Sequence, residues 1–178
     1  RSFPQPLWTG TEAINGKILF AYISCGLGDA IQFYRYATLA QARGAHVILS
    51  VNDSLLPLLR SSNHAVSVIG LKQVPVRFDY HIPLLSMPLA LRGALPRSVN
   101  YLSAEPARVA RWKDRLGLDG YRVAIAWQGS ATALGAEGKS FPLSALAKIA
   151  ALPRVRLISL QKNAGSEQLE QLPPGMVV

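Results

Sequence analysis

The sequence predicts an open α/β fold built on a parallel sheet, and three observations carry that expectation. Short apolar runs alternate with segments of helical period, a glycine-containing loop follows the first run, and the strand-helix-strand pattern begins again after residue 120.

Residues 17–23 form an apolar run that reads as a buried strand. The loop Cys25-Gly26-Leu27-Gly28-Asp29 follows, and then Ala30, Phe33, Tyr34, Ala37 and Ala40 recur at helical spacing through residue 43, where Gly44 supplies a stop. Residues 46–51 are a second strand, which completes a β-α-β unit of the kind that pairs its strands in parallel. Asn52, Asp53 and Ser54 offer caps for a short helix to Arg60; strands are expected at 65–69 and 78–82, and a short apolar helix at 84–91, interrupted by Pro88. The periodicity lapses across 92–103, and Pro106 opens a helix that runs to Gly117. The second series comprises a strand at 122–127, a loop at 128–139, a helix at 142–152, a strand at 155–160, a short helix at 166–172 and the start of a strand at Met176.

The expected organisation is therefore a first domain at 1–104, a linker helix at 105–120 and a second α/β half at 121–178. A parallel remnant of two or three strands leaves a face and an edge bare. The second half thus reads as the opening of a larger domain, or as one that borrows strands from a neighbouring copy in a homo-oligomer.

Hydrophobic residues make up 49% of the chain and charged ones 16%, a composition that can bury a core and does not suit disorder. No apolar run approaches the roughly 18 residues needed to cross a bilayer, and residues 1–6 lack the pattern of a signal peptide. The expected location is the cytoplasm, including the inner face of its membrane. The one cysteine, Cys25, excludes an internal disulfide framework. The net charge of +9 favours an anionic partner. Its densest cluster, Arg108, Arg111, Lys113 and Arg115, lies on one helical segment whose single aromatic residue, Trp112, does not make the interleaved stacking platform of a nucleic-acid binder, so nucleic acid is not the expected partner. His46, His64 and His81 fall on separate elements with no metal-ligand spacing. Trp8 and Trp112 read as packing residues, and Trp127 and Phe141 either stack on a base or sugar or are buried at the ends of their elements.

Asp29 is the first candidate for chemistry, because the carboxyl ends of parallel strands are where such sheets bind their ligands and the following helix offers unpaired N–H groups. The alternative is that Gly26 and Gly28 only make a tight turn while Asp29 caps the helix.

Read as one block, residues 26–37 resemble the glycosyltransferase-like domain that follows tetratricopeptide repeats in many bacterial proteins, which is similar in turn to the heptosyltransferases of glycosyltransferase family 9. The resemblance continues through residues 83–90 and 101–106, then Ala126-Trp127-Gln128-Gly129, Lys139-Ser140-Phe141-Pro142-Leu143 and Ser159-Leu160-Gln161-Lys162. It implies a Rossmann-like parallel sheet of a GT-B type glycosyltransferase, with an incomplete second Rossmann-like half and upstream tetratricopeptide repeats as a partner. It implies an acceptor side on the first half and a nucleotide-sugar side on the second. Asp29 occupies the motif position of the general base, with Gly26, Gly28, Gln32 and Arg35 on the acceptor side. Gly129, Ser130, Lys139, Ser140, Gln161 and Lys162 fall on the side of the donor phosphates. The resemblance further implies a nucleotide-sugar donor and an acceptor hydroxyl of a glycan, a lipid-linked molecule or a protein.

A sugar hydroxyl is a poor nucleophile, so a carboxylate must take its proton as the anomeric carbon is attacked, and attack opposite the leaving diphosphate inverts that centre. No Asp-x-Asp occurs in the chain, and the expected mechanism uses Lys139 and helix N-termini rather than a metal or any other cofactor. The chain departs from its relatives in having Ser24-Cys25 where many have Glu-Gln, in a loop 130–138 poor in basic residues and Asn, and in lacking the later Asp-Thr segment that helps hold the nucleotide-sugar. These departures keep open a non-catalytic interaction or scaffold module, or a fragment inactive alone. A dinucleotide-dependent oxidoreductase is less favoured, because Ile31 stands where the third glycine of that fingerprint belongs.

Overall fold

Successive side chains of a strand face opposite ways, and the first strand, β1 (Ile18–Tyr22), fills both of its faces. Leu19, Ala21 and the adjoining Ile23 enter one core, whereas Phe20 and Tyr22 enter another. With β2 (His46–Val51), β3 (Ser67–Gly70) and β4 (Tyr80–Pro83), β1 forms a four-stranded, all-parallel sheet in the order β3-β2-β1-β4. Ile18 lies opposite His46 on β2, and Tyr22 lies opposite Pro83 on β4. The architecture is α/β with a parallel sheet, compatible with a Rossmann-like fold. The computed structural model describes residues 2–24, 26–62, 65–96, 100–129 and 138–178.

Helix α1 (Leu27–Ala42) follows β1 and buries Ala30, Tyr34, Tyr36, Ala37 and Ala40. Three of these are alanines, small enough to let the helix lie close to the sheet. The helix starts three residues before the expected Ala30, because a glycine in the first turn does not stop a helix whose third residue, Asp29, takes up the Gly26 N–H. It ends before Gly44, whose φ of +89° and whose closeness to Asn15, 2.0 Å from where a Cβ would stand, admit glycine alone.

A 3₁₀ turn at Asp53–Leu55, capped by Asn52, runs into α2 (Leu56–Ser61). A second 3₁₀ turn at Leu84–Ser86 runs into α3 (Met87–Ala90). Pro88 explains why the helix expected at 84–91 is divided, since it has no N–H to give the Leu84 carbonyl four residues back, and the Met87 N–H takes that carbonyl instead. β3 is joined to β4 by residues 71–79, which contain no helix. The sheet face that a crossover helix would cover is occupied by Phe20, Tyr22, Phe78 and His81, with the Phe3 ring set edge-on against all four at 5.0–5.6 Å. Contacts of this geometry add about 0.5–1.5 kcal/mol each beyond area burial. Residues 6–8 run beside β4 and close part of its edge, Trp8 N–H donating to His81 O at 2.9 Å and His81 N–H to Pro6 O at 3.1 Å.

The chain divides into two units, Arg1–Trp112 and Lys113–Val178, and the division falls inside α4 (Pro106–Leu116). In the second unit β5 (Tyr121–Ile125) pairs in parallel with β6 (Val155–Ser159). A 3₁₀ turn at Leu143–Leu146 leads into α5 (Ala147–Ala150), so only part of the helix expected at 142–152 is α-helical, and a 3₁₀ turn occupies Ser166–Glu170. Ile125, Trp127, Leu143, Leu157 and Met176 make its core. Met176 does not open a strand: its N–H closes a turn on Pro173 O, and its side chain is the core residue that made the segment look strand-like. Trp8 is buried, but Trp112, read as a packing residue, is 44% exposed. Among the described residues no helix is long and apolar enough to cross a membrane.

Burial holds the His81 imidazole below its ordinary value of 6.5. Between that value and its lowered folded one, the unfolded chain takes up a proton that the folded chain refuses, so stability falls as pH drops through 6.5 and levels off below the folded pKa. Thermal melts from pH 7.5 to 5 should show this loss in the natural chain and a flatter profile in His81→Phe.

Candidate functional site

The carboxyl end of β1 is set by its register. Tyr22 lies level with Pro83 of β4, so the loop toward α1 and the turn at Leu84–Ser86 leave the sheet side by side. The chain passes from β1 to β2 and β3 on one side and places β4 on the other. The gap outside β1 and β4 is thus the point where the strand order reverses, the place where open α/β sheets hold ligands.

Gly26 stands there in extended conformation (φ −67°, ψ 166°) as the residue preceding α1. Asp29, the third residue of the helix, accepts the Gly26 N–H through Oδ2 at 3.2 Å, and the Ala30 N–H bonds the Gly26 carbonyl at 3.0 Å. This is one arm of a capping box; the other needs a side chain that Gly26 lacks, so no side chain caps the helix from that position. Asp29 is exposed. Among the described residues no basic side chain forms an ion pair with Asp29.

The structure corrects the reason for the two glycines. Neither has a positive φ, so no sharp turn demands them. A Cβ at Gly28 would meet nothing within 4 Å, and one at Gly26 would meet only the Asp29 carboxylate at 3.5 Å. The backbone tolerates a side chain at both, and what the glycines provide is uncovered N–H surface at the head of α1.

Gln32 and Arg35 follow Asp29 at steps of three along α1. Gln32 is exposed, whereas Arg35 is half-buried, its guanidinium 5.8 Å from the Tyr36 ring centre and its Nε without a hydrogen-bond partner among the described residues. Phe33, expected on the buried face, is only half-buried, and Tyr36 takes the buried place.

In the second unit the Phe141 N–H bonds Trp127 O at 3.0 Å and the Gly129 N–H bonds Ser140 Oγ at 3.2 Å, which draws Gly129, Lys139 and Ser140 together beyond the carboxyl end of β5. Lys139 and Lys162 are exposed. Ser130, expected in the same group, lies outside the described residues, as do Cys25 and His64. Gln161 is placed differently from the phosphate-binding role expected of it. Its Oε1 accepts the Trp127 and Gln128 N–H groups at 3.1 and 3.0 Å, and its Nε2 donates to Gln128 O and Ala164 O at 3.0 and 2.7 Å. An amide has two acceptor sites and two donors, so the fold uses its full capacity and leaves none for a phosphate.

Sequence reasoning missed the companions of this clamp. Trp127, 1% exposed, gives its indole N–H to Gly165 O at 3.0 Å, and Gln168 Oε1 receives the Leu143 N–H at 2.8 Å. Gly165 has φ +93° and would drive a Cβ to 2.8 Å from Gln128, so only glycine fits against that side chain. Nothing in the spacing of Gly165 and Gln168 marks them, because their partners lie 25 or more residues away.

A depression of about 340 Å³ lies between α2 and the head of α4, lined in part by Ser54, Leu58, Ser61, Glu105 and Arg108. Asp29 does not line it. Among the described residues no three His, Cys, Asp or Glu side chains gather as a metal site would require. No protein-family model, curated protein or solved structure matches the chain.

The separation of clamp from exposed cations has a measurable consequence. Gln161→Leu leaves the Trp127 and Gln128 N–H groups and the Gln128 and Ala164 carbonyls without their partner, and should destabilise the second unit by about 2–4 kcal/mol in urea denaturation. Lys139→Ala and Lys162→Ala, both at exposed positions, should stay within about 0.5 kcal/mol of the natural chain.

Proposed function

We propose that the chain is a glycosyltransferase domain of the GT-B type, similar to the heptosyltransferases, which transfers a sugar from a nucleotide-sugar to a hydroxyl acceptor with inversion. The observation that carries this reading is the exposed carboxylate of Asp29 at the switch point of a parallel sheet, beside helix N–H groups that no side chain caps. In the reaction Asp29 takes the proton of the acceptor hydroxyl as its oxygen attacks the anomeric carbon. The bond to the nucleoside diphosphate breaks on the opposite face. Gly26 and Gly28 admit the acceptor close to the backbone, and Gln32 and Arg35 extend its contacts along α1.

The departing diphosphate gains negative charge, which cationic side chains and backbone N–H groups stabilise. Lys139 and Lys162 supply the cations, and Ser140 with the Gly129 backbone supplies hydrogen bonds. Gln161 acts on this group only by holding residues 127–128 in place.

A second reading, a non-catalytic interaction module, is favoured by the hydrogen bond from Gly26 to Asp29, since capping alone accounts for an acidic residue at this position.

Two variants separate the readings. With a nucleotide-sugar that the protein turns over, Asp29→Asn should keep donor affinity and lose about 10²–10⁴ in kcat, and Gly28→Ala should weaken the acceptor while leaving thermal stability unchanged or slightly raised. Turnover undiminished in Asp29→Asn removes Asp29 as the base, and no nucleotide-sugar bound in calorimetry by the natural protein supports the interaction module.

A further inference from the structure

The second unit holds a depression that the transfer chemistry does not use. It measures about 190 Å³, and Leu143, Ser144, Gln168, Gln171, Leu172 and Pro173 line it. Its walls are the turn that enters α5 and the turn Ser166–Glu170 that follows β6. Both turns are anchored on Trp127, two residues past β5. The Phe141 N–H donates to the Trp127 carbonyl at 3.0 Å, and the Trp127 indole N–H donates to Gly165 O at 3.0 Å. The depression therefore lies at the carboxyl ends of β5 and β6, where sheets of this kind hold ligands.

The amide of Gln168 has a fixed orientation. Its Oε1 receives the Leu143 N–H at 2.8 Å, and its Nε2 donates to Gln128 Oε1 at 3.4 Å. An amide nitrogen carries two N–H donors, so one is left to offer. The side chains of Gln171 and Ser144, both exposed, make no hydrogen bond among the described residues. Gln171 can present its carbonyl and an N–H side by side, and the Ser144 hydroxyl gives or accepts. Leu143, Leu172 and Pro173 add apolar surface. A flat ring with a polar edge fits such a lining, its faces against the apolar residues and its edge toward the amides.

We propose that this depression holds the base of the nucleotide-sugar and selects uracil or thymine. The inference rests on the sugar-transfer reading and adds the donor's base to it. A donor on Gln168 beside an acceptor and a donor on Gln171 calls for the order acceptor, donor, acceptor on the ligand. Uracil and thymine carry that edge as a ring N–H between two carbonyls. Cytosine and guanine have an amine in place of one carbonyl, and adenine has no carbonyl at all. An amine there sets donor against donor, a cost that a site built from hydrogen-bonding groups turns into selectivity.

Calorimetry of the full chain with UDP, dTDP, CDP, GDP, ADP and inorganic pyrophosphate tests the assignment. UDP and dTDP should bind about tenfold more tightly than the other nucleotides. Gln171→Leu, at an exposed position, should lower UDP affinity about tenfold and leave ADP and pyrophosphate unchanged. Gln168→Glu keeps an oxygen for the Leu143 N–H and removes the amide donors, so it should weaken UDP by a similar factor and narrow the gap between UDP and CDP. Thermal melts establish that the variants are folded, and Gln171→Leu decides the matter alone if Gln168→Glu is not. Equal affinity for all the nucleotides, a preference for CDP, GDP or ADP, or UDP affinity that Gln171→Leu leaves unchanged or lowers equally with that of ADP each overturns the base assignment while the sugar-transfer reading stands. Binding of none of the nucleotides overturns both.

Discussion

Everything in the first unit depends on an interior parallel strand having two faces to cover. β1 meets the constraint asymmetrically: Leu19, Ala21 and Ile23 pack with the helices, while Phe20 and Tyr22 meet an aromatic layer completed by Phe78. In a doubly wound sheet the crossover after β3 would bring a helix to the second face. Here residues 71–79 bring none, and Phe3 and His81 fill the place with edge-on ring contacts. The segment at 6–8 is tied to His81 by backbone hydrogen bonds. A residue near the start of the chain thus helps to hold the strand from which Asp29 is presented.

Asp29 illustrates how one side chain serves two ends. Its bond to the Gly26 N–H fixes the first turn of α1, and the same turn exposes the carboxylate at the carboxyl edge of the sheet. A negative group at a helix N-terminus is stabilising wherever it occurs, so the position is favourable with or without chemistry. The neighbouring glycines are more telling, because the backbone requires neither. An uncovered helix head has a physical use where something must approach it.

The second unit separates side chains that hold the backbone from side chains that face solvent. Gln161 binds four backbone groups, Trp127 is locked by its indole N–H, and Gly165 leaves room for Gln128. Lys139, Ser140 and Lys162 stand outside this network, exposed at the carboxyl ends of the strands. The residue types alone do not distinguish these roles. Gln161 and Lys162 are adjacent in the chain, yet one is fully engaged and the other faces solvent.

The sequence by itself determined the order of the six strands, the first β-α-β unit, the stop at Gly44 and the position of Asp29 at the head of α1. These follow from interactions within a few residues: side-chain alternation, helical spacing, a capping carboxylate and a positive φ. It also marked Pro88 as a break, for the local reason that a proline has no N–H. Only the tertiary structure decided that β1 lies between β2 and β4, that Phe3 covers its second face, that Tyr36 and not Phe33 is buried, that Gln161 is a clamp, that Met176 is a core residue and that Trp112 is exposed. Each of these depends on a partner or surrounding brought by the fold from elsewhere in the chain, and no local period records which distant group will arrive.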